Sequence, residues 1–208
     1  MKKIIFNNKI NILFLFISFI CLVCLVGLEN IFFTKIQWLY DSDESTFNQL
    51  GWHFFKNDIW RFPFGSNPNF GGEIGNSIVY TDSIPVLALF FKLFKSFLPE
   101  NFQYFSLWYL LCFYFQLFFS FLILKKFTNS LSYSFIGSLF FLLSPIFIFR
   151  ADYHVGLSGQ WVLLFGLYLG LTQRLDKSKS LWILATILSS LIHFYFTAIL
   201  LTMYSILR

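Results

Sequence analysis

Five long apolar segments constrain the fold of this chain more than any other feature. A helix needs about 20 apolar residues to cross a membrane. The chain is 57% hydrophobic and only 12% charged, whereas soluble domains carry about 25% charged residues. We therefore predict an all-α integral membrane protein, with about five transmembrane helices in one domain over residues 1–208. The predicted spans cover residues 11–28, 103–124, 131–149, 157–171 and 181–207.

Two of these segments and the end of the chain are informative in themselves. Asn11–Leu28 is longer than the apolar part of a secretory signal, and no cleavage site follows it, so we interpret it as a retained anchor. The short fourth segment contains Gly159, Gly166 and Gly170, and small residues allow membrane helices to pack closely. The chain stops at Arg208 directly after an apolar segment, which predicts an N-terminal fragment of a longer protein.

The basic residues predict the orientation of the chain. Cytoplasmic loops of membrane proteins collect Lys and Arg. If the apolar run Ile84–Leu98 lies along the membrane surface, eight basic residues fall on one side and nine of the ten acids on the other, so the N-terminus is cytoplasmic. The basic residues are scattered rather than gathered in one patch, which argues against a nucleic acid partner. The eight are Lys2, Lys3, Lys9, Lys125, Lys126, Arg174, Lys177 and Lys179.

A large polar loop over residues 29–102 follows the first span. Six of the ten acids in the chain lie between residues 38 and 82. We predict two surface helices in this loop, over about residues 44–56 and 83–98. The loop is therefore expected to lie on the extracytoplasmic side, held at the bilayer surface by these helices.

The second surface helix has a recognisable beginning. Asp82 or Ser83 is a suitable cap, and Pro85 fits the first turn, where a missing N–H costs nothing. Lys92 and Lys95 lie on one face of this helix. We expect them to extend towards lipid headgroups.

Three acids open the polar loop and are the candidate catalytic residues: Asp41, Asp43 and Glu44. Capping of the first surface helix, by Asp43 or Ser42, accounts for one of them. Carboxylates held close together repel one another, which raises the pKa of at least one and suits a general base. Asp43 and Glu44 are also candidate ligands for a divalent cation.

A second candidate group lies in the short loop between the third and fourth spans, in FRADYHVGLSGQW. Arg150, Asp152, His154 and Gln160 are the polar residues assigned there to substrate binding. Charged residues between two membrane helices are costly unless they face water or partners. The topology puts this loop on the side of the first-loop acids, so both groups are predicted to meet in one pocket, together with Asp82. An interfacial anchor containing an ion pair is the alternative interpretation.

His193 lies near the middle of the last predicted span, in SSLIHFYFT. One interpretation is a buried histidine that bonds to a serine of a neighbouring helix. The other is a polar group lining a substrate cavity, and we include His193 among the candidate substrate-binding residues.

In these features the chain resembles the GT-C superfamily. Its members are multi-spanning glycosyltransferases that use polyprenyl-phosphate-linked sugars. Its members typically have a cytoplasmic N-terminus, one helix, and a large outer loop that opens with an acidic motif, here residues 41–44. The run TDSIPVLALFFKLF is similar to the second juxtamembrane helix of that loop. More narrowly, LGWHFFKNDIWRFPFG, YTDSIPVLALFFK and HVGLSGQW resemble an uncharacterised bacterial membrane family grouped with these transferases.

The resemblance implies a transferase of the bacterial cytoplasmic membrane that moves a sugar from a polyprenyl-phosphate donor to an envelope glycan, lipid or protein. Asp41 or Asp43 would deprotonate the acceptor hydroxyl, and membrane lipids would surround the donor tail. Arg150, or Mg²⁺ or Mn²⁺ at Asp43 and Glu44, would meet the charge of the leaving phosphate. The alternative is a non-enzymatic flippase subunit or envelope-assembly protein. A flippase is expected to carry charged residues within its spans, and these spans carry almost none.

Overall fold

The computed structural model describes residues 8–172 and 175–207, and the regular secondary structure of these residues is helical apart from one two-stranded sheet. The predicted all-α class is confirmed. The helices are α1 (Asn8–Val26), α2 (Asp43–Asn57), α3 (Pro85–Lys92), α4 (Phe105–Thr128), α5 (Leu131–Leu142), α6 (Pro145–Tyr153), α7 (Trp161–Thr172), α8 (Leu175–Ile192) and α9 (Phe194–Ile206), and the strands are β1 (Ser66–Asn67) and β2 (Asn76–Ser77).

Two of the described helices, α1 and α4, are long and apolar enough to cross a membrane. The bent pair of α5 and α6 makes a third candidate if it is counted as one span. Helices α7, α8 and α9 are apolar but shorter. By length and composition, the described residues therefore contain two or three candidate spans, fewer than the five predicted.

The helices pack side by side with alternating direction. Phe14 of α1 packs against Phe121 of α4 and Phe135 of α5, at ring-centroid distances of 5.4 and 6.3 Å. Trp108, near the start of α4, donates a hydrogen bond to the Val155 carbonyl, and Lys126, near its end, donates one to the Leu171 carbonyl. We call the end covered by residues 27–104 the loop end, and the opposite end, where Lys126 lies, the basic end.

The third predicted span, 131–149, is not one helix. It breaks between Leu142 and Pro145, and α5 and α6 are bent by 44° relative to each other. Pro145 has no N–H for a helical hydrogen bond, and its ring collides with the preceding turn. Ser144 caps the new helix by accepting a hydrogen bond from the Phe147 N–H. The short helix α6 therefore lies at the loop end, carrying Arg150 and Asp152.

The fifth predicted span, 181–207, also differs from the structure. The chain breaks at His193, which is extended and caps α9 through a hydrogen bond from the Tyr195 N–H to its Nδ1. Helices α8 and α9 then form an antiparallel hairpin, in which the Ser189 and Thr197 hydroxyls are 3.0 Å apart. His193 is therefore at a turn at the loop end, and its predicted position in mid-span was wrong.

Three glycines set the spacing between α7 and the hairpin. A Cβ atom at Gly166 would lie 2.2 Å from Leu200, and one at Gly170 would lie 2.3 Å from Leu207. Gly159, just before α7, would meet Ile192 at 2.7 Å. The close packing predicted for these glycines is confirmed, and it draws the His193 turn towards the start of α7.

The polar loop has its own core, built on α2. Trp52 is fully buried, donates a hydrogen bond to the Phe102 carbonyl and packs against the ring of Tyr104. The Tyr104 hydroxyl donates in turn to the Ser83 carbonyl. The two helices predicted in this loop are present as α2 and α3, although α3 ends at Lys92 and a 3₁₀ turn covers Lys95–Phe97.

Two details of α3 differ from the prediction. Neither Asp82 nor Ser83 caps it, because Ile84 takes the cap position with φ 50° and the Ser83 hydroxyl bonds to the Asn48 carbonyl instead. Pro85 does occupy the first turn. Lys92 does not extend to headgroups: it is 1% exposed.

The Lys92 amine lies 3.8 Å from the ring centre of Phe55, and burial lowers its pKa to about 8. The aromatic ring attracts the cation, which compensates part of the lost hydration. Lys95 also bonds inward, to the Asp58 carbonyl. Both lysines therefore fix the loop rather than anchor it in lipid.

Candidate functional site

The first turn of α2 positions the acidic motif. Ser42 is the N-cap, and its hydroxyl accepts a hydrogen bond from the Ser45 N–H. This cap satisfies one of the free N–H groups at the helix start. Asp41 precedes the cap, while Asp43 and Glu44 occupy the first turn. Successive side chains of the motif consequently point in different directions, and only some of them meet other candidate residues.

A cavity of about 330 Å³ lies at the loop end, between the start of α2, the end of α1 and the end of α6. Asp41 and Asp152 both line it, so the structure brings one acid from each predicted loop into the same space. Its wall combines carboxylate, amide, hydroxyl and aromatic groups. The lining includes Asn30, Trp38, Ser45, Tyr109 and Tyr153.

An apolar groove of about 610 Å³ adjoins this cavity on the face between α1 and α6. Leu25 and Asp152 belong to the linings of both. The polar cavity and the apolar groove are therefore contiguous, with the Asp152 carboxylate at their junction. The groove is otherwise lined by Cys24, Leu143, Pro145, Ile148 and Phe149.

Glu44 and His154 form the shorter of two carboxylate–imidazole contacts. The Glu44 Oε2 and His154 Nδ1 atoms are 2.7 Å apart, and the two side chains are 32% and 40% exposed. The His154 N–H bonds to the Arg150 carbonyl, which ends α6 and fixes the backbone of the histidine. The predicted convergence of the two loops is present in this contact.

Asp82 and His193 form the second contact, with 3.5 Å between Asp82 Oδ1 and His193 Nε2. Gly156 lies beside both: a Cβ atom there would be 3.2 Å from His193 Cδ2 and 3.6 Å from Asp82 Oδ1. His193 is 9% exposed. Because Ser189 bonds to Thr197 rather than to the imidazole, the predicted serine partner of His193 is replaced by a carboxylate of the loop.

The two carboxylates in these contacts are perturbed by their surroundings. Burial raises the pKa of Glu44, while the hydrogen bond and charge of His154 oppose this rise. Burial also raises the pKa of Asp82, opposed by the charges of His193 and His154. Asp82 in addition raises the pKa of Glu44, and Arg150 lowers it. Five predicted residues therefore form one electrostatic group: Glu44, Asp82, Arg150, His154 and His193.

Two predicted site residues stand apart from these contacts. Asp43 is exposed and does not line the cavity. Gln160 ends the 3₁₀ turn before α7, and within residues 8–172 and 175–207 its side chain makes no hydrogen bond to another candidate residue. Among the described residues, no three His, Cys, Asp or Glu side chains lie close enough to hold a metal ion. Asp43 and Glu44 are adjacent in the first turn of α2, and the cation site predicted there stays a prediction.

Several residues of the site carry no recognisable signal in the sequence. Tyr109 is one of many aromatics in α4, and Asn30 and Trp38 lie in the irregular chain after α1. Nothing in the sequence distinguishes Gly156 from the other glycines of its segment. In the structure, a side chain at this position would crowd the ring of His193. Other wall residues, such as Ser42, Ser45 and Tyr153, had a signal only in their proximity in sequence to Asp41 and Asp152.

The fold and site define a helical protein with candidate membrane spans, in which a folded polar loop closes a cavity that adjoins an apolar groove. The chain belongs to the family DUF6311, described as a domain of unknown function, whose match covers residues 15–207. Comparison with curated proteins and with solved structures gave no match.

Proposed function

We propose that this protein is a membrane glycosyltransferase that transfers a sugar from a polyprenyl-phosphate donor to an envelope acceptor. The observation that carries the proposal is the shared boundary of the apolar groove and the polar cavity at Leu25 and Asp152. A lipid-linked sugar has the same division, with an isoprenoid tail joined to a polar head. The tail would lie between α1 and α6, and the sugar would lie beside Asp41.

The polar wall of the cavity suits a sugar ring. Asp41, Asp152 and Asn30 offer hydrogen-bonding groups for sugar hydroxyls, and Trp38 and Tyr109 offer flat apolar surfaces. Glycosyl transfer passes through a transition state with positive charge on the sugar ring. Carboxylates aimed at developing positive charge stabilise that transition state. This is the role we assign to Asp41 and Asp152.

The leaving phosphate requires a cation. Arg150 lies on α6 and acts electrostatically on Glu44, so its guanidinium is the group we assign to the phosphate, which it can bind through two parallel hydrogen bonds.

The proposed orientation of the chain in the membrane is based on the positions of its basic residues. Lys125, Lys126 and Lys179 lie in helix segments near the basic end, which would be cytoplasmic by the usual distribution of Lys and Arg. The loop end would then face the extracytoplasmic side of the bacterial cytoplasmic membrane. Because α8 and α9 form a hairpin, the chain would make six passes if every apolar helix crosses, instead of five.

The proposal is tested by transfer in proteoliposomes that contain the full chain and a panel of polyprenyl-phosphate hexoses. We expect glycosidic product and release of polyprenyl phosphate. Ile148→Trp should fill the groove and lower the rate about tenfold or more. Asp152→Asn should lower it about a hundredfold, in the range found when one stabilising group of a transition state is removed.

Two matched variants control these changes. Ile146→Trp alters the same residue type on the same helix, but Ile146 is outside the groove lining and 70% exposed. Asp43→Asn removes an acid of the same motif that does not line the cavity. Both should retain transfer within about threefold of wild type. Equal loss in Ile146→Trp and Ile148→Trp, or lipid-linked sugar crossing the vesicle without glycosidic product, would contradict the proposal.

A further inference from the structure

The geometry points to His154 as the base that accepts the proton of the attacking hydroxyl, with Glu44 as the residue that positions it. This inference rests on the proposed transferase function and changes its assignment of the base. From the sequence, the base was expected to be Asp41 or Asp43.

The contact with Glu44 determines which nitrogen of His154 is free. A carboxylate only accepts hydrogen bonds, so Nδ1, at 2.7 Å from Glu44 Oε2, carries the hydrogen. In a neutral imidazole the other nitrogen then holds a lone pair. No hydrogen bond to His154 Nε2 is found in the part of the chain that the structure describes, and the side chain is 40% exposed. This nitrogen is therefore available to a substrate.

His193 shows the opposite arrangement and serves as an internal comparison. Its Nδ1 accepts the Tyr195 N–H, so its hydrogen is on Nε2 and faces Asp82. Both nitrogens of His193 are thus used by the fold. Of the two imidazoles that contact a carboxylate of the polar loop, only that of His154 combines an orienting carboxylate with a free lone pair.

The position of the pair relative to the cavity supports this role. His154 lies between Tyr153 and Val155, and both of these neighbours line the cavity. Glu44 is followed by Ser45, which lines it as well. The pair therefore lies next to the wall that contains Asp41 and Asp152, although neither Glu44 nor His154 lines the cavity itself. An imidazole accepts a proton more readily near neutral pH than an ordinary carboxylate does.

Proton transfer to His154 accompanies the attack of the acceptor on the sugar. The lone pair of His154 Nε2 takes the proton of the acceptor O–H as the hydroxyl oxygen forms a bond to the anomeric carbon. The bond from that carbon to the phosphate oxygen breaks, and its electron pair leaves with polyprenyl phosphate. The imidazolium is stabilised by the Glu44 carboxylate until it releases the proton to water.

The tautomer is measured first, by ¹⁵N NMR of the full chain labelled at histidine in detergent. We expect the hydrogen of His154 on Nδ1 and that of His193 on Nε2. Glu44→Ala should shift His154 towards the tautomer with hydrogen on Nε2 and leave His193 unchanged. A wild-type His154 with hydrogen on Nε2 would overturn the inference, because Nε2 would then have no lone pair to accept a proton.

Transfer by variants is measured second. His154→Ala should lower the rate about 10²- to 10⁴-fold, the usual contribution of a general base, and added imidazole should restore part of it. Glu44→Ala should lower the rate less. His53→Ala is the control, because His53 bonds to Asn57 on the far part of α2 and its loss should leave transfer unchanged.

The two measurements separate this inference from the proposed function. A His154→Ala variant that keeps transfer within threefold of the wild-type rate would overturn the role of His154, whatever the effect of Asp41→Asn, because Asp41 is also assigned to the transition state. Wild-type protein without transfer on any donor would overturn the proposed function. In that case the tautomer and its response to Glu44→Ala would still decide whether Glu44 orients His154.

Discussion

Both carboxylate–imidazole contacts at the loop end join the polar loop to a histidine between two helices of the bundle, but they differ in distance and burial. Glu44 and His154 are 2.7 Å apart and both partly exposed, whereas Asp82 and His193 are 3.5 Å apart around a buried ring. His193 also caps α9, and its ring lies so close to Gly156 that a side chain there would crowd it. The difference indicates that the His193 contact holds the fold together, while the His154 contact keeps a reactive atom available.

The largest expected difference between the contacts is in stability. His193→Ala removes a helix cap, a buried ring and the partner of Asp82, so we expect a loss of about 2 kcal/mol in the free energy of unfolding. His154→Ala removes a partly exposed pair and should cost about 0.5 kcal/mol. Reversible denaturation of both variants in detergent measures the difference. A His154→Ala loss as large as that of His193→Ala would remove the distinction between the contacts.

A smaller effect is expected at Gly156. Gly156→Ala places a methyl group 3.2 Å from His193 Cδ2, which forces a small displacement of the ring and should cost about 1 kcal/mol. In the His193→Ala background the obstacle is absent, so the cost should largely disappear. A double-mutant cycle of unfolding free energies measures this coupling. Additive losses would show that Gly156 is constrained by something other than His193.

The smallest effect concerns pH. Burial raises the pKa of Glu44 and Asp82 above the ordinary values of 4.5 and 3.8. Such carboxyls bind more protons in the folded protein, so their stabilising contribution is complete below those ordinary values and is lost as pH rises through the folded pKa. As pH rises above 4, the melting temperature should therefore fall less in Glu44→Gln and in Asp82→Asn than in wild type. The expected difference is about 1 °C for each variant.

The pH measurement compares each variant with wild type at several pH values, so that other titrating groups cancel. Asp43→Asn is the matched control, because Asp43 is an exposed acid of the same motif. An unchanged slope in both Glu44→Gln and Asp82→Asn would show that neither carboxyl is perturbed in the folded chain. A change in Asp82→Asn alone would confine the raised pKa to the carboxyl of Asp82.

Local chemistry predicted much of the helical structure. The apolar segments formed helices, Pro85 lies in the first turn of α3, and Ser42 capped α2. These features depend on residues within one turn of each other, so they can be recognised from the sequence. The breaks were harder to predict: the run from 181 to 207 is apolar throughout, and nothing local distinguishes one long helix from a hairpin at His193.

The sequence by itself determined that this chain is helical, that its helices are apolar, and that its acids are concentrated in one loop. Only the tertiary structure decided that Glu44 meets His154, that Asp82 meets His193, and that Lys92 is buried under aromatic rings. The physical reason is separation along the chain. Helix formation depends on near neighbours, whereas these contacts exist because glycine-spaced helices and a tryptophan-anchored loop bring distant residues to the same end of the bundle.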